Sequence, residues 1–353
     1  MLFKKRFTTV DIGTDSIKAA RFVNDSDLML ESISLKKLPY ESIKDGRIID
    51  EAVVAARLAE LLEELNGKRD EIVTTIPVNN LIIRKIELPV MDADELAEAL
   101  KWEAADYLPY PVENAVLDYK IISQERDKLG VLLLAVKSDI IASIKSVFRR
   151  INLTPSVINI QPMALLSLLD FQNKLDDSTA AVIDIGASGT RIIIGSSKNI
   201  FLSRVIAVGG NDFSSTLMEG KNLGYNEAER FKGENGIHLR GEKDLELELF
   251  ISQAASSGSE AHFLFSAANN LAEEIKRSLD YYQMEYREDV DGVFLTGGSS
   301  RLKNLPELIT ETIGRDLYPL NPFEGIKYKG EKNSKLEEFA VIVGLAASEV
   351  LAR

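Results

Sequence analysis

Cysteine is absent from the 353-residue chain, and histidine occurs only as His238 and His262. A disulfide framework, thiol catalysis and a thiolate metal site are therefore excluded, and a histidine-based zinc site lacks ligands. No apolar run of the sequence reaches the roughly 20 residues that span a bilayer. Cations are not in excess either: 42 Lys and Arg stand against 55 Asp and Glu, a formal charge of −13. That balance repels nucleic acid and anionic membrane on average, although a local basic patch is compatible with it. Met1-Leu2-Phe3-Lys4-Lys5-Arg6-Phe7 is too short and too charged for a signal peptide, so a cytoplasmic location is expected. This lead-in reads as a solvated approach to an edge strand, with a weak membrane foot of Leu2, Phe3 and Phe7 as the alternative.

What the chain does have is 45% hydrophobic residues, enough at this length for two cores when a domain takes about 100–200 residues. Three glycine-bearing segments follow β-branched apolar runs: Val10-Asp11-Ile12-Gly13-Thr14-Asp15-Ser16, Val182-Ile183-Asp184-Ile185-Gly186-Ala187-Ser188-Gly189-Thr190 and Val293-Phe294-Leu295-Thr296-Gly297-Gly298-Ser299-Ser300. The first two repeat one device, a strand ending in Asp-Ile-Gly followed by small hydroxyl residues. Glycine lets such a turn fold sharply and present backbone N–H groups to phosphate oxygens, and the aspartate is suited to Mg²⁺ through water. The third segment has paired glycines and no acid, which suits a flat nucleoside against bare backbone.

The pattern along the chain predicts a strand, turn and strand over 8–23, then a helix from Asp50 to Leu65 stopped by Asn66-Gly67. A buried strand is expected at Ile72–Pro77, with Leu81–Leu88 as its partner. Asp92-Ala93-Asp94-Glu95 is an N-cap signal opening a helix to about Tyr107, ended by Pro109 and Pro111. Strands near 116–121 and 131–136, a helix over 138–149 and a strand near Val157 follow. This αββαβ order reads as an inserted subdomain between Pro89 and Pro155. The strand and hairpin theme returns over 180–210, and 213–280 reads as helical and polar with a loose stretch at 255–259. The last segment, from Phe339 to Ala347, is a small-residue helix that other helices can approach closely.

The paired hairpins, in this order and spacing, resemble the actin-like ATPase superfamily, which includes sugar kinases and DnaK-type chaperones. The stretch Asp92-Ala93-Asp94-Glu95-Leu96-Ala97-Glu98-Ala99-Leu100-Lys101-Trp102-Glu103-Ala104-Ala105-Asp106-Tyr107-Leu108-Pro109-Tyr110-Pro111, continuing to Val116-Leu117-Asp118-Tyr119, closely resembles the insertion of the PilM family of type IV pilus assembly proteins. The resemblance covers essentially the whole chain. It implies an α/β fold of two duplicated ribonuclease-H-like domains with an inserted subdomain of the type called 1C in FtsA. The first domain (1A) is expected at 1–88, completed by 156–178 and 339–353. The insertion is then 89–155, and the second domain (2A) 179–338 with a helical lobe (2B) at about 212–274.

The same resemblance implies ATP and Mg²⁺ as ligands, and a place on the cytoplasmic face of the inner membrane. The partner it implies is the cytoplasmic tail of PilN, held in a groove between insertion and first domain; pilus motor ATPases and weak self-association are further expectations. Asp11 and Asp184 become the magnesium-facing pair. Gly13, Thr14, Ser16, Gly186, Ser188 and Gly189 become phosphate cradles, and Gly297, Gly298 and Ser299 the nucleoside turn, with Gly210 nearby. Lys18 reaches a phosphate or points to solvent, and Glu229 and Lys232 contact ribose and adenine or decorate a helix surface. Gln161 stands where actin carries a water-orienting glutamine, which implies slow hydrolysis. Trp102, Tyr107, Tyr110 and Tyr119 are the candidate groove anchors, with packing inside the insertion as the other role for Tyr107. Rival readings are a small-molecule kinase, for which no aspartate base motif is found, and a filament-forming cytoskeletal protein. FtsA attaches through an amphipathic tail, and the sequence has no such extension before Arg353, so membrane contact is expected through the partner.

Overall fold

The computed structural model describes residues 5–25, 27–76, 81–176, 178–237, 260–328 and 337–351. It opens with an antiparallel meander, β1 (Lys5–Ile12), β2 (Ser16–Asn24) and β3 (Leu28–Lys37), then a small hairpin of β4 (Ile43–Lys44) and β5 (Arg47–Ile48). Helix α1 (Glu51–Glu64) starts where the Asp50 carboxylate accepts from Val53 N–H, and Asn66 just beyond it takes a left-handed φ of 53°. β6 (Glu71–Ile76) then pairs in parallel with β1.

β7 (Leu81–Pro89) does not pair with β6 as the sequence suggested. It pairs with β9 (Lys128–Lys137), which also pairs with β8 (Ala115–Glu125), so Leu81–Pro89 belongs to a separate three-stranded sheet of order β7-β9-β8. Helix α2 (Ala93–Tyr107) covers one face of that sheet: Leu96, Leu100 and Ala104 pack on Ile86, Leu88, Leu129, Val131 and Leu133. α3 (Ser138–Arg149) follows β9 and packs against α1 and β6, tying this unit to the first sheet. The strand expected near Val157, β10 (Val157–Ile160), returns to the first sheet beside β6 rather than closing the insertion.

After α4 (Gln161–Phe171) the chain builds a second meander from β11 (Ala180–Ile185), β12 (Thr190–Gly195) and β13 (Ile200–Ile206). Helices α5 (Gly210–Lys221), α6 (Tyr225–Asn235) and α7 (Glu260–Tyr286) lead to β14 (Gly292–Thr296), α8 (Leu305–Ile313) and β15 (Leu317–Pro319). The second sheet, β13-β12-β11-β14-β15, repeats the order and strand directions of β3-β2-β1-β6-β10. This repeat is the duplication that the two Asp-Ile-Gly turns announce. The chain re-enters the first sheet earlier than residue 339, because Leu320 joins the first core and β16 (Lys327–Tyr328) pairs with β3. The loose stretch expected at 255–259 lies outside the described residues.

Buried residues divide into a core for the first sheet with α1, α3 and α4, a core on the far side of the second sheet, and the small core under α2. The final helix, α9 (Ala340–Leu351), belongs to the first core and crosses α4 with nothing between them: a Cβ on Gly344 would stand 2.2 Å from the Ala164 carbonyl oxygen. Ala180, Val182, Ile193 and Ile200 of the second sheet join that same core, so α4 and α9 form a floor beneath both lobes. β1 is buried at every position from Phe7 to Ile12, which requires cover on both faces. It is an interior strand, and Phe7 stacks on Phe22 in the core, so neither the edge-strand lead-in nor a membrane foot through Phe7 stands. Leu2 and Phe3 lie outside the described residues.

Candidate functional site

Each meander turns at a glycine hairpin. Gly13 N–H donates to Ser16 O at 3.1 Å and Gly186 N–H to Gly189 O at 3.0 Å, leaving Thr14 and Ser188 near the tips. The tips meet: the Thr14 and Ser188 hydroxyls lie 2.8 Å apart across 174 positions of sequence. Between the lobes the hairpins open a cleft of about 970 Å³. Asp11 and Asp184 occupy the same place, one residue before the end of β1 and of β11, and both are buried at its base.

The two carboxylates have matching surroundings. Asp11 is register partner of Lys18, whose Nζ is 3.8 Å from Oδ2, and Asp184 is register partner of Arg191, whose Nη1 is 3.3 Å from Oδ2. Lys18 is thus a cleft residue and not a solvent one. Asp11 Oδ1 also accepts from Thr75 Oγ1 at 3.4 Å and Gln161 Nε2 at 3.3 Å. Gln161 is buried, and its Oε1 has no partner, a free acceptor beside the carboxylate.

α5 is tied to the second hairpin, since Gly210 N–H donates to Gly186 O at 2.9 Å and Asn211 N–H to Ala187 O at 2.8 Å. Gly209 is required for this approach, as its Cβ would meet Gly189 N at 2.4 Å. Gly189 closes the turn and packs under Ile206 O and does not line the cleft, unlike the other phosphate-cradle glycines of the sequence reading. On the same side of the cleft, Lys232 Nζ donates to Gly210 O at 2.8 Å, Ser214 Oγ at 2.8 Å and Glu229 Oε1 at 2.6 Å. Glu229 and Lys232 therefore form an inward pair and are not surface decoration. The Gly297-Gly298 loop is equally close: Gly297 has φ 96°, and a Cβ there would come within 2.5 Å of Asp184 Oδ1. Ser299 Oγ donates to Gly186 O at 3.1 Å, and Gly298 lies against Glu338.

Several cleft residues escaped the sequence reading. Arg191 carried a signal, because it falls seven residues after Asp184 as Lys18 does after Asp11. Thr75, Tyr225, Arg301, Glu337 and Glu338 carried none, since they arrive from remote segments. Tyr225 donates to Asn211 Oδ1 at 3.2 Å, and its ring packs tilted against Tyr40 of the opposite lobe with centroids 4.4 Å apart. Burial, and then the Glu229 and Asp15 carboxylates, hold its phenol above the usual range, so it stays protonated.

A second, smaller pocket of about 280 Å³ opens where the insertion meets the first sheet. Ile12, Ile43, Ile48, Ile49 and Thr75 line one side and Asp139, Ile140, Ser143 and Ile144 of α3 the other, with an Arg47–Asp139 ion pair at 3.6 Å on the rim. None of Trp102, Tyr107, Tyr110 and Tyr119 lines it. Trp102 stands 79% exposed on the outer face of α2, and Tyr107 is also exposed, not core. Tyr119 packs in the small core under α2, and Tyr110 lies beneath Lys137 Nζ, 5.0 Å above its ring, with its hydroxyl buried and unpartnered.

The cleft fits a nucleotide: glycines stand where side chains would fill it, cations lie at its base, and Gln161 Oε1 is a free acceptor. Among the described residues no group of three or more metal-ligating side chains occurs, but Mg²⁺ held with phosphates and water needs only one or two carboxylates, which Asp11 and Asp184 supply. No helix among the described residues is long and apolar enough to cross a membrane.

A family model described as type IV pilus assembly protein PilM matches residues 9–349. The structure is similar to that of a PilM-PilN type IV pilus biogenesis complex, with TM-score 0.82, 25% identity and 99% of each chain covered. It also resembles MreB5 of Spiroplasma citri bound to AMPPNP, with TM-score 0.56 and 14% identity over 99% of this chain and 97% of that one. In sequence, the cell division protein FtsA of Bacillus subtilis is 24% identical over 356 residues, covering 90% of this chain and 78% of the relative.

Proposed function

The chain belongs to the type IV pilus assembly protein PilM family and has the actin-like ATPase fold, and from that premise we propose that it is an ATP-binding scaffold of the pilus inner-membrane platform. Its partner in this reading is the cytoplasmic tail of a PilN-like membrane protein, which keeps it at the cytoplasmic face. The observation that carries the nucleotide half is the meeting of two Asp-Ile-Gly hairpins across one cleft, joined at Thr14 and Ser188. The hairpin backbones hold the phosphates, Gly297 and Gly298 carry the nucleoside, and Glu229 with Lys232 face ribose and base. Mg²⁺, faced by Asp11 and Asp184, neutralises phosphate charge when bound. Gln161 keeps one amide group on Asp11 and the other free to orient water, which positions a nucleophile without acting as a strong base. Binding with slow turnover follows, and the angle between the lobes is what the nucleotide sets.

The pocket between α3 and the first sheet is the best-supported seat for the partner tail. It is largely apolar, it lies at the junction of insertion and first lobe, and Thr75 of β6, which lines it, donates to Asp11. The insertion is accordingly assigned to about 81–151, starting with β7. The test is binding of a labelled peptide copying a PilN-like tail to the full chain. Ile49 is 63% exposed in this pocket, so Ile49→Glu should spare the fold and lower affinity about tenfold or more. Trp102→Ala should leave it unchanged. The opposite pattern moves the tail to the α2 face.

A further inference from the structure

The base of the cleft holds one cation beside each carboxylate, Lys18 by Asp11 and Arg191 by Asp184. Among the other cations of the cleft, Lys37 is paired with Asp15, Lys232 with Glu229, and Arg301 with Glu337 and Glu338. Lys18 and Arg191 differ. Lys18 stands 3.8 Å from Asp11, beyond hydrogen-bond length, and Arg191 holds Asp184 through Nη1 alone while its Nε is buried with no partner. The guanidinium also covers the second hairpin, because its Nη1 lies 3.0 Å from where a Cβ of Gly186 would be. An arginine with 13% side-chain exposure, one unused donor and a place over a phosphate-type turn is poised for an anion.

Taking the cleft as the nucleotide site proposed above, we propose that Arg191 is a phosphate-binding residue that lets this protein hold ATP without a metal ion. Asp184 and the phosphates compete for the same guanidinium. Without metal, Arg191 and Lys18 are the loosely held charges at the base of the cleft that can turn to the phosphates.

The test is calorimetric ATP binding to the full chain, once in EDTA and once in excess Mg²⁺. Wild type is expected to bind in EDTA within about tenfold of its affinity in Mg²⁺. Arg191→Gln should lose about 10- to 100-fold in EDTA and less in Mg²⁺. Because that variant leaves Asp184 buried without its cation, two others guard against misfolding. Asp184→Asn frees Arg191 and should strengthen binding in EDTA, and the double variant D184N/R191Q should reverse that gain. Wild type that binds ATP in Mg²⁺ but not in EDTA overturns the role of Arg191 and leaves the nucleotide site standing. Equal EDTA affinity in D184N and the double variant also overturns it. Binding in neither medium removes the nucleotide reading itself.

Discussion

Asp70 accepts from Arg21 through Nε at 2.6 Å and Nη2 at 3.2 Å and from Thr8 Oγ1 at 3.0 Å, with only 7% of its side chain exposed. This carboxylate holds the Arg21 guanidinium above its ordinary range, and removing it leaves Arg21 with Glu31 alone, 3.5 Å from its Nη1. Asp70→Ala should cost about 3 kcal/mol, read as a lower urea midpoint with unchanged slope; a loss under about 1 kcal/mol would mean that water replaces the carboxylate. Gln161→Ala should slow phosphate release about tenfold or more while ATP affinity is kept, because the side chain acts through its free oxygen. Equal rates in both proteins would remove Gln161 from the chemistry. The site residues legible in sequence were those whose backbone must bend locally, Gly13, Gly186 and Gly297, and the carboxylates beside them. Tyr225 and Glu338 were not, because nothing in their own neighbourhood distinguishes a residue that the fold carries into a cleft from one left at the surface.

Helix α9 shows how strictly an element can be fixed by one contact. Gly344→Val would push a side chain into the Ala164 carbonyl, and backbone cannot yield as a rotamer does, so a loss of about 1–3 kcal/mol is expected by thermal or chemical unfolding. Helix α3 is held differently, through Glu51 of α1. Hydrogen bonds from Ser146 above all, then Arg150 and Ser143, outweigh desolvation and keep that carboxyl below its ordinary range. A lowered folded value means the tie is fully present above the unfolded carboxyl value and is lost as pH falls through the folded one. Amide protection of residues 138–149, corrected for the intrinsic exchange rate at each pH, should therefore fall on acidification in wild type and lose that extra pH dependence in Glu51→Gln. Element type was readable here, since 138–149 is helical as its pattern indicates. Strand partnership was not. Leu81–Pro89 has the apolar character of a neighbour for β6, but pairing is chosen by tertiary contact, and β9 was the available partner.

Across the whole molecule, contacts that bridge the lobes above the floor include Thr14 with Ser188 and Tyr40 with Tyr225. A tilted ring pair contributes about 0.5–1.5 kcal/mol, so Tyr40→Ala should speed release of a fluorescent ATP analogue roughly two- to tenfold. An unchanged off-rate would show that the rings do not gate the cleft. The duplication was legible because both halves keep the same turn, whereas the early return of β16 to the first sheet left no mark in two residues. The floor itself has a consequence for how the protein is made. α9 supplies core to β1, β2 and β6, yet it is synthesised after all of them. On the ribosome the first lobe must wait, with an apolar sheet face uncovered, while the second lobe already has its own far-side core from residues ending near 313. The half that begins the chain is thus the half that finishes folding, and a chaperone's or protease's opportunity falls in that interval.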